Sequence, residues 1–345
     1  MKKQLFNLVM VSFCLCSAKV VAQDFHFSQF SMTPTLINPA AAGSENQSRA
    51  FLNYRNQWRS ISAPYTTVHA STDMALTKNN ASKGYLAAGL DVTNDQAGTS
   101  KLRHLQATVS LAYHTRIGEN SKLGAGLYGG FAQRSVNYND LRWGSQYDGN
   151  TYNAGLPGGG TDGANSIAFA DLGAGVIWSY SKGERYMTGN DQQKYTLGFS
   201  VLHANRPSYS FFDTGERLNL KTVFHGEALI GIPNSGLSIV PGFMYAGQGS
   251  LSEVMVGTRF RLLLEQESNY TGFQKGKAIA FGTYYRVGDA FVPSVHLEMG
   301  KLEFCMSYDF TVSTLTEANN ARGGMEIALR YLFAHPLQKG AAKRY

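Results

Sequence analysis

From Arg49 to Phe333, hydrophobic and polar residues alternate in runs of eight to fourteen residues, each closed by a turn rich in Gly, Asn, Asp or Lys. The C-terminal half shows it best. Val254, Val256, Thr258, Phe260 and Leu262 alternate with Met255, Gly257, Arg259, Arg261 and Leu263. Ile279, Phe281, Thr283, Tyr285 and Val287 alternate with Ala280, Gly282, Tyr284 and Arg286. Leu302, Phe304, Met306, Tyr308 and Phe310 alternate with Glu303, Cys305, Ser307 and Asp309. Met325, Ile327, Leu329, Tyr331 and Phe333 alternate with Glu326, Ala328, Arg330 and Leu332. Side chains on a strand switch faces with period two, so each run has one apolar and one polar face. The pattern predicts about fourteen strands, within a range of twelve to sixteen, near 49–57, 65–75, 84–92, 102–115, 123–136, 167–180, 193–203, 218–232, 237–247, 252–263, 277–287, 290–299, 302–312 and 323–333.

Two folds alternate in this way, a soluble sandwich and a membrane barrel. Soluble strands run to roughly 5–6 residues, whereas a tilted spanning strand needs roughly 9–11. The runs here are of the longer kind. Tyr308 with Phe310, and Tyr331 with Phe333, place aromatics at run ends, as an interfacial girdle requires. The expected fold is therefore all-β, a transmembrane antiparallel up-and-down β-barrel over 49–333. An even strand number puts both termini in the periplasm. The long connections 137–165 and 204–216 then fall outside, and the short ones at 116–122, 233–236 and 300–301 fall inside; 247–250 and 265–275 break that rule. Residues 23–48 do not alternate and, with Pro34, Pro39 and Ala40-Ala41-Ala42-Gly43, predict a non-barrel plug or docking segment. The tail 334–345, with Lys339, Lys343 and Arg344, is expected to be solvated and periplasmic.

The start of the chain changes the charge and the compartment. Lys2 and Lys3 precede an apolar run from Leu5 to Leu15, followed by small residues up to Ala22. This reads as a secretory signal, residues 1–22, cleaved after Ala22. Cleavage takes three of the 31 basic residues and none of the 24 acidic ones, leaving a modest, scattered positive charge that implies no nucleic-acid patch. It also removes Cys14 and Cys16, so Cys305 is left without a disulfide partner.

Little in the sequence points to catalysis. Gly124, Gly126 and Gly129 match a GxGxxG spacing, but inside an alternating run, where glycines ease curvature and packing. Gly158-Gly159-Gly160 lacks the Lys-Ser/Thr of a phosphate loop. The eight histidines form no HExxH motif, and no serine stands in a GxSxG. Neither an enzyme nor a cofactor is expected. The polar faces carry Lys221, His225 and Glu227, then Arg259 and Arg261, Arg286, His296 and Glu298, Glu303 and Asp309, and Glu326 and Arg330. Neighbouring strands would bring these opposite charges together in a wet or plugged lumen, where they knit the wall. Phe25, Phe27 and Phe30, with Gln29, Asn38 and Pro39, are candidates for a plug or a partner contact. Trp143 and Tyr147, in the long aromatic outer loop, are candidates for holding a protein surface or packing over the mouth.

Several strings resemble a known family. They are Gln23-Asp24-Phe25-His26-Phe27-Ser28-Gln29-Phe30, Thr35-Leu36-Ile37-Asn38-Pro39-Ala40-Ala41-Ala42-Gly43, Asn53-Tyr54-Arg55-Asn56-Gln57-Trp58 and Pro64-Tyr65-Thr66-Thr67. Further on come Leu141-Arg142-Trp143-Gly144-Ser145-Gln146, Asp171-Leu172-Gly173-Ala174-Gly175, His203-Ala204-Asn205-Arg206-Pro207 and Gly323-Gly324-Met325-Glu326-Ile327. Together they resemble the PorP/SprF family of type IX secretion system outer-membrane proteins, over essentially the whole mature chain. The resemblance implies an outer-membrane barrel that supports export or surface anchoring of a partner, such as a large adhesin of gliding motility with a type B C-terminal sorting domain. It also implies other type IX components and a periplasmic peptidoglycan-binding protein as partners. The residues alone leave a second reading open, a channel for small or lipophilic solutes.

Overall fold

The computed structural model describes residues 24–45, 48–59, 63–77, 84–138, 141–158, 165–183, 190–212, 215–265 and 276–333. The signal segment, the tail 334–345, Gly159, Gly160 and residues 266–275 lie outside the described residues. Fourteen antiparallel strands close into one barrel: β1 Ser48–Gln57, β2 Tyr65–Ala75, β3 Tyr85–Ala97, β4 Leu102–Arg116, β5 Ser121–Ser135, β6 Ser166–Lys182, β7 Gln193–Leu202, β8 Lys221–Gly231, β9 Leu237–Gln248, β10 Leu251–Glu265, β11 Lys277–Arg286, β12 Ala290–Met299, β13 Leu302–Thr311 and β14 Arg322–Phe333. Each strand pairs with its sequence neighbours, and β14 pairs with β1 from Ser48↔Phe333 to Gln57↔Gly324. No sheet edge is left open, so every strand finds partners on both sides, as lipid demands.

The period-two pattern sorts the wall. Leu127, Leu111, Phe281, Phe131 and Phe260 stand outward, 50–66% exposed. Asn53, His69, Asp91, Ser110, Asp171 and Glu326 stand inward and are buried. Aromatic pairs mark both ends: Tyr308 and Phe310 lie 4.9 Å apart near the outer end, Tyr331 and Phe333 4.8 Å apart near the end where β14 finishes. The strands fall where the alternation predicts, with two instructive shifts. β3 runs on to Ala97, because inward Thr93 and Asp95 bond His69 and Thr67 on β2 and carry the ladder past the apolar band. β8 starts at Lys221, since Leu218 leaves the wall to pack with Ala132, Phe169 and Tyr209 at the mouth.

Residues 24–45 occupy the lumen. Three short turns, Phe30–Met32, Pro34–Ile37 and Pro39–Ala41, are linked by extended pieces. Phe30 joins Tyr128, Leu202, Val223, Met244, Met255 and Tyr284 in the main apolar cluster. The core of this molecule is thus a contact between a plug and the inner wall.

Candidate functional site

The plug runs the length of the barrel in an unexpected direction. Asp24 lies by His203, Lys221 and Gln248, all at the outer ends of their strands. Ser44 and Glu45 lie by Lys122 and Arg49, at the opposite end, where β1 starts and β14 finishes. The segment therefore starts near the outer mouth and descends to enter β1 from below.

At its outer end the plug is held by a charged relay. The His203 ring bonds Asp24 through Nε2 at 2.6 Å and Asp171 through Nδ1 at 2.9 Å. Both partners are carboxylates, which only accept, so both ring nitrogens carry protons and His203 is an imidazolium. Burial opposes that charge, but the negative charge of Asp24 and the bond to Asp171 outweigh it and raise its pKa to about 9. Burial likewise opposes the charge on Asp24, yet His203 and Lys221 (3.6 Å) hold its carboxyl well below the usual carboxylate range. Tyr128 and Gln106 donate to the other Asp171 oxygen at 2.9 and 3.0 Å, so Asp171 is fully occupied at 0% exposure. Phe25 meets His104 edge-on at 5.5 Å.

A second grip lies at the closure seam. The Ser28 and Gln29 amides both donate to Glu326 of β14, at 2.8 and 3.1 Å. Ser28 Oγ donates to Asp309 of β13 at 2.8 Å and receives a bond from Arg286 of β11 at 2.6 Å. Arg55 of β1 donates to the His26 carbonyl at 2.6 Å and to Asp309 at 2.8 Å. Strands one, eleven, thirteen and fourteen are therefore tied through three plug residues, His26, Ser28 and Gln29. Each buried charge has opposite charge and hydrogen-bond donors or acceptors in reach, the condition under which burial is tolerable.

Lower down the plug needs room more than charge. Asn38 donates to the Val176 carbonyl at 3.0 Å, lies 3.2 Å from His225 Nε2 and caps the next turn by accepting from Ala40 N at 2.9 Å. The wall here is glycine: a Cβ on Gly126 would sit 2.6 Å from Ala40 N and 2.7 Å from Pro39 C. Gly175 and Gly198 face Asn38 in the same way. Below them, Gly43 N donates to Asp73 at 2.6 Å, Arg49 bonds both Asp73 and the Ala41 carbonyl, and His114 contacts the Ala42 carbonyl at 2.8 Å.

Of the residues singled out from sequence, Phe25, Phe27, Gln29, Phe30, Asn38 and Pro39 all belong to this plug. Phe27 and Phe30 are 3% exposed, against the His69 and Tyr284 rings. The charges divide in two. Lys221, Arg286, Asp309 and Glu326 hold the plug directly, and Arg259 reaches Ser31 at 3.3 Å while pairing Glu227 at 2.6 Å. Arg261 with Glu298 (2.7 Å) and Glu303 with Arg330 (2.6 Å) knit the wall. Trp143 and Tyr147 sit apart, in an outer loop that packs on itself: Gly158 lies against the Trp143 ring, and Tyr147 bridges Tyr152 while remaining 59% exposed. Arg55, Asp73, Asp91, Asp171 and His203 were missed. The signal was present, since Arg55 alternates with outward Leu52 and Tyr54 and so had to face inward. Cys305 lies 3.3 Å from His296, which bonds Glu303 at 3.0 Å, the order of groups in a thiol triad. The thiol is 0% exposed beneath Met32 and Ala328, however, so it closes a packed wall. Among the described residues no group of three or more His, Cys, Asp or Glu is placed to hold a metal ion.

A closed barrel with an apolar outer band, aromatic ends and a charged, plugged lumen is an outer-membrane β-barrel protein. Residues 20–331 match the family described as type IX secretion system membrane protein PorP/SprF, and the chain belongs to that family. The comparison with curated proteins gave no match. Among solved structures it is similar to the TodX monoaromatic hydrocarbon channel, deltaS2 mutant (TM-score 0.46, 9% identity, 87% of this chain and 94% of that one). A Pseudomonas aeruginosa FadL homologue gives TM-score 0.44 at 10% identity over 86% and 93%. BamA from Haemophilus ducreyi lacking POTRA domains 1–3 gives 0.42 at 8% identity over 84% and 70%.

Proposed function

We propose that this outer-membrane component of type IX secretion supports export or surface anchoring of a partner protein, such as a large adhesin of gliding motility with a type B C-terminal sorting domain. On this reading it works with other type IX components and a periplasmic peptidoglycan-binding protein, and catalyses no reaction of its own. The observation that carries the reading is the plug: residues 24–45 fill the lumen from mouth to base, which suits a docking platform better than a pore. The exposed Tyr147, Tyr152 and Phe212 on the outer loops offer the aromatic surface a protein partner would use. A second reading, a conduit for lipophilic solutes, draws on a small cavity beside the plug, bordered by Leu36, Ile37, Val223 and Met244 and also by Asp24, His203 and Lys221.

The test is loss of the gene product in its own cell, followed by mass spectrometry of the surface and the medium. The expected result is that one or a few exported proteins vanish from the surface, and that these co-purify with the tagged barrel from native outer membrane. An unchanged exported set would overturn the proposal.

A further inference from the structure

The outer surface of the barrel is indented where β6 to β9 pass the half nearer the start of β1 and the end of β14. The β8–β9 ladder is continuous from Lys221↔Gln248 to Glu227↔Gly242 and resumes at Ile230↔Ile239, without the two pairs between. Pro241 falls in that interval, and proline has no N–H to give the ladder. On the outward face of β8, Gly226 lets the Phe243 and Leu197 side chains pack down onto the strand, and Ala228 beside it adds little bulk. The result is an almost wholly apolar groove, walled by Trp178, Tyr195, Leu197 and Phe243 over a floor of Gly226 and Ala228. The Glu227 carboxylate behind the floor is turned inward onto Arg259 at 2.6 Å.

What lies beyond the groove suggests its occupant. Trp178 and Tyr180 stack at 6.4 Å, and Tyr180 meets Tyr195 at 5.7 Å, forming a local aromatic girdle. Lys182 follows two residues later, on the same outward face as Trp178 and Tyr180 and at the last position of β6. Aromatic side chains mark the headgroup level, and a lysine at a strand end reaches toward phosphate. Barrel termini lie on the periplasmic side, so this half of the wall meets the inner leaflet.

We infer that the groove is a specific site for an anionic phospholipid of the inner leaflet, one acyl chain lying between Trp178, Tyr195 and Phe243 and the phosphate at Lys182. Ordinary annular lipid exchanges over the whole outer wall; this site would hold one molecule at an indentation with a matched charge. It is independent of the plug and of any secreted partner.

The experiment is native mass spectrometry of the purified protein mixed with phosphatidylglycerol or phosphatidylcholine micelles. The wild type should retain one phosphatidylglycerol, preferred over phosphatidylcholine by about fivefold, the worth of one surface-level cation–lipid contact. Ala228→Trp, which fills the groove from the lipid side, should lose that bound lipid while keeping the heat-resistant folded band on a gel. Lys182→Gln should keep a bound lipid but lose the headgroup preference. Equal retention by wild type and Ala228→Trp would overturn the site. So would equal affinity of the wild type for both lipids, or a groove covered by a second copy, seen as a dimer that Ala228→Trp dissociates.

Discussion

His203 stands between two carboxylates, one on the barrel and one on the plug, and both of its ring nitrogens donate. Its pKa, about 9 in the folded protein, lies above the roughly 6.5 of an unfolded histidine. The stabilisation it gives is therefore complete below about pH 6.5, declines as pH rises through 9 and is gone above it. Asp24 shifts the other way, and its contribution holds at every pH above the usual carboxylate range. The charged groups nearest the ring are Asp24, Asp171 and Lys221, and the other titratable side chain in range is His104. We predict that His203→Gln lowers the melting temperature at pH 6 and that the gap from wild type closes by pH 10. The whole effect should be on the order of 1–3 kcal/mol. A gap that stays constant across that range would show that His203 acts through packing alone.

At the scale of the element, the strands were legible in the sequence and so was the separateness of the non-barrel N-terminal segment, but not the path that segment takes through the lumen. A strand of a barrel writes its fold locally: Phe260, Leu262 and Phe281 must face lipid, so every second residue is constrained. Asp24 to Glu45 has no such period, because its short turns are held by contacts with residues up to 298 positions away. Its destination was nonetheless partly visible. Asp171-Leu172-Gly173-Ala174-Gly175, His203 and Gly323-Gly324-Met325-Glu326, which stand far apart in sequence, converge on the plug as anchor, spacer or seam contact. The GxGxxG spacing is explained the same way, with each glycine in a different situation. Gly126 faces Ala40 at backbone distance, while Gly129 faces lipid, where a Cβ would lie 3.4 Å from Leu172. We therefore predict opposite outcomes for one substitution. Gly126→Ala should cost about 1–3 kcal/mol and expose the plug to protease, as overpacking does. Gly129→Ala should fall within about 0.5 kcal/mol of wild type. Equal sensitivity at the two positions would mean that the plug does not rest on Gly126.

For the whole molecule, the direction of the plug matters most. β1 starts at the end of the barrel where β14 finishes, yet Asp24 lies near the outer mouth, so residues 24–45 run the length of the lumen before the wall begins. The grip at Glu326, Asp309 and Arg55 falls on β14, β13 and β1, the strands that make and flank the closing pair. The charges that the alternating pattern placed inside divide between seating the plug, as Lys221, Arg286, Asp309 and Glu326 do, and knitting the wall, as Arg261 with Glu298 and Glu303 with Arg330 do. If residues 24–45 shut the lumen and the protein holds partners, as proposed, single-channel recording of the isolated wild-type protein in a planar bilayer should show no steady conductance. A steady, size-selective current would instead mark an open pore and overturn the proposal.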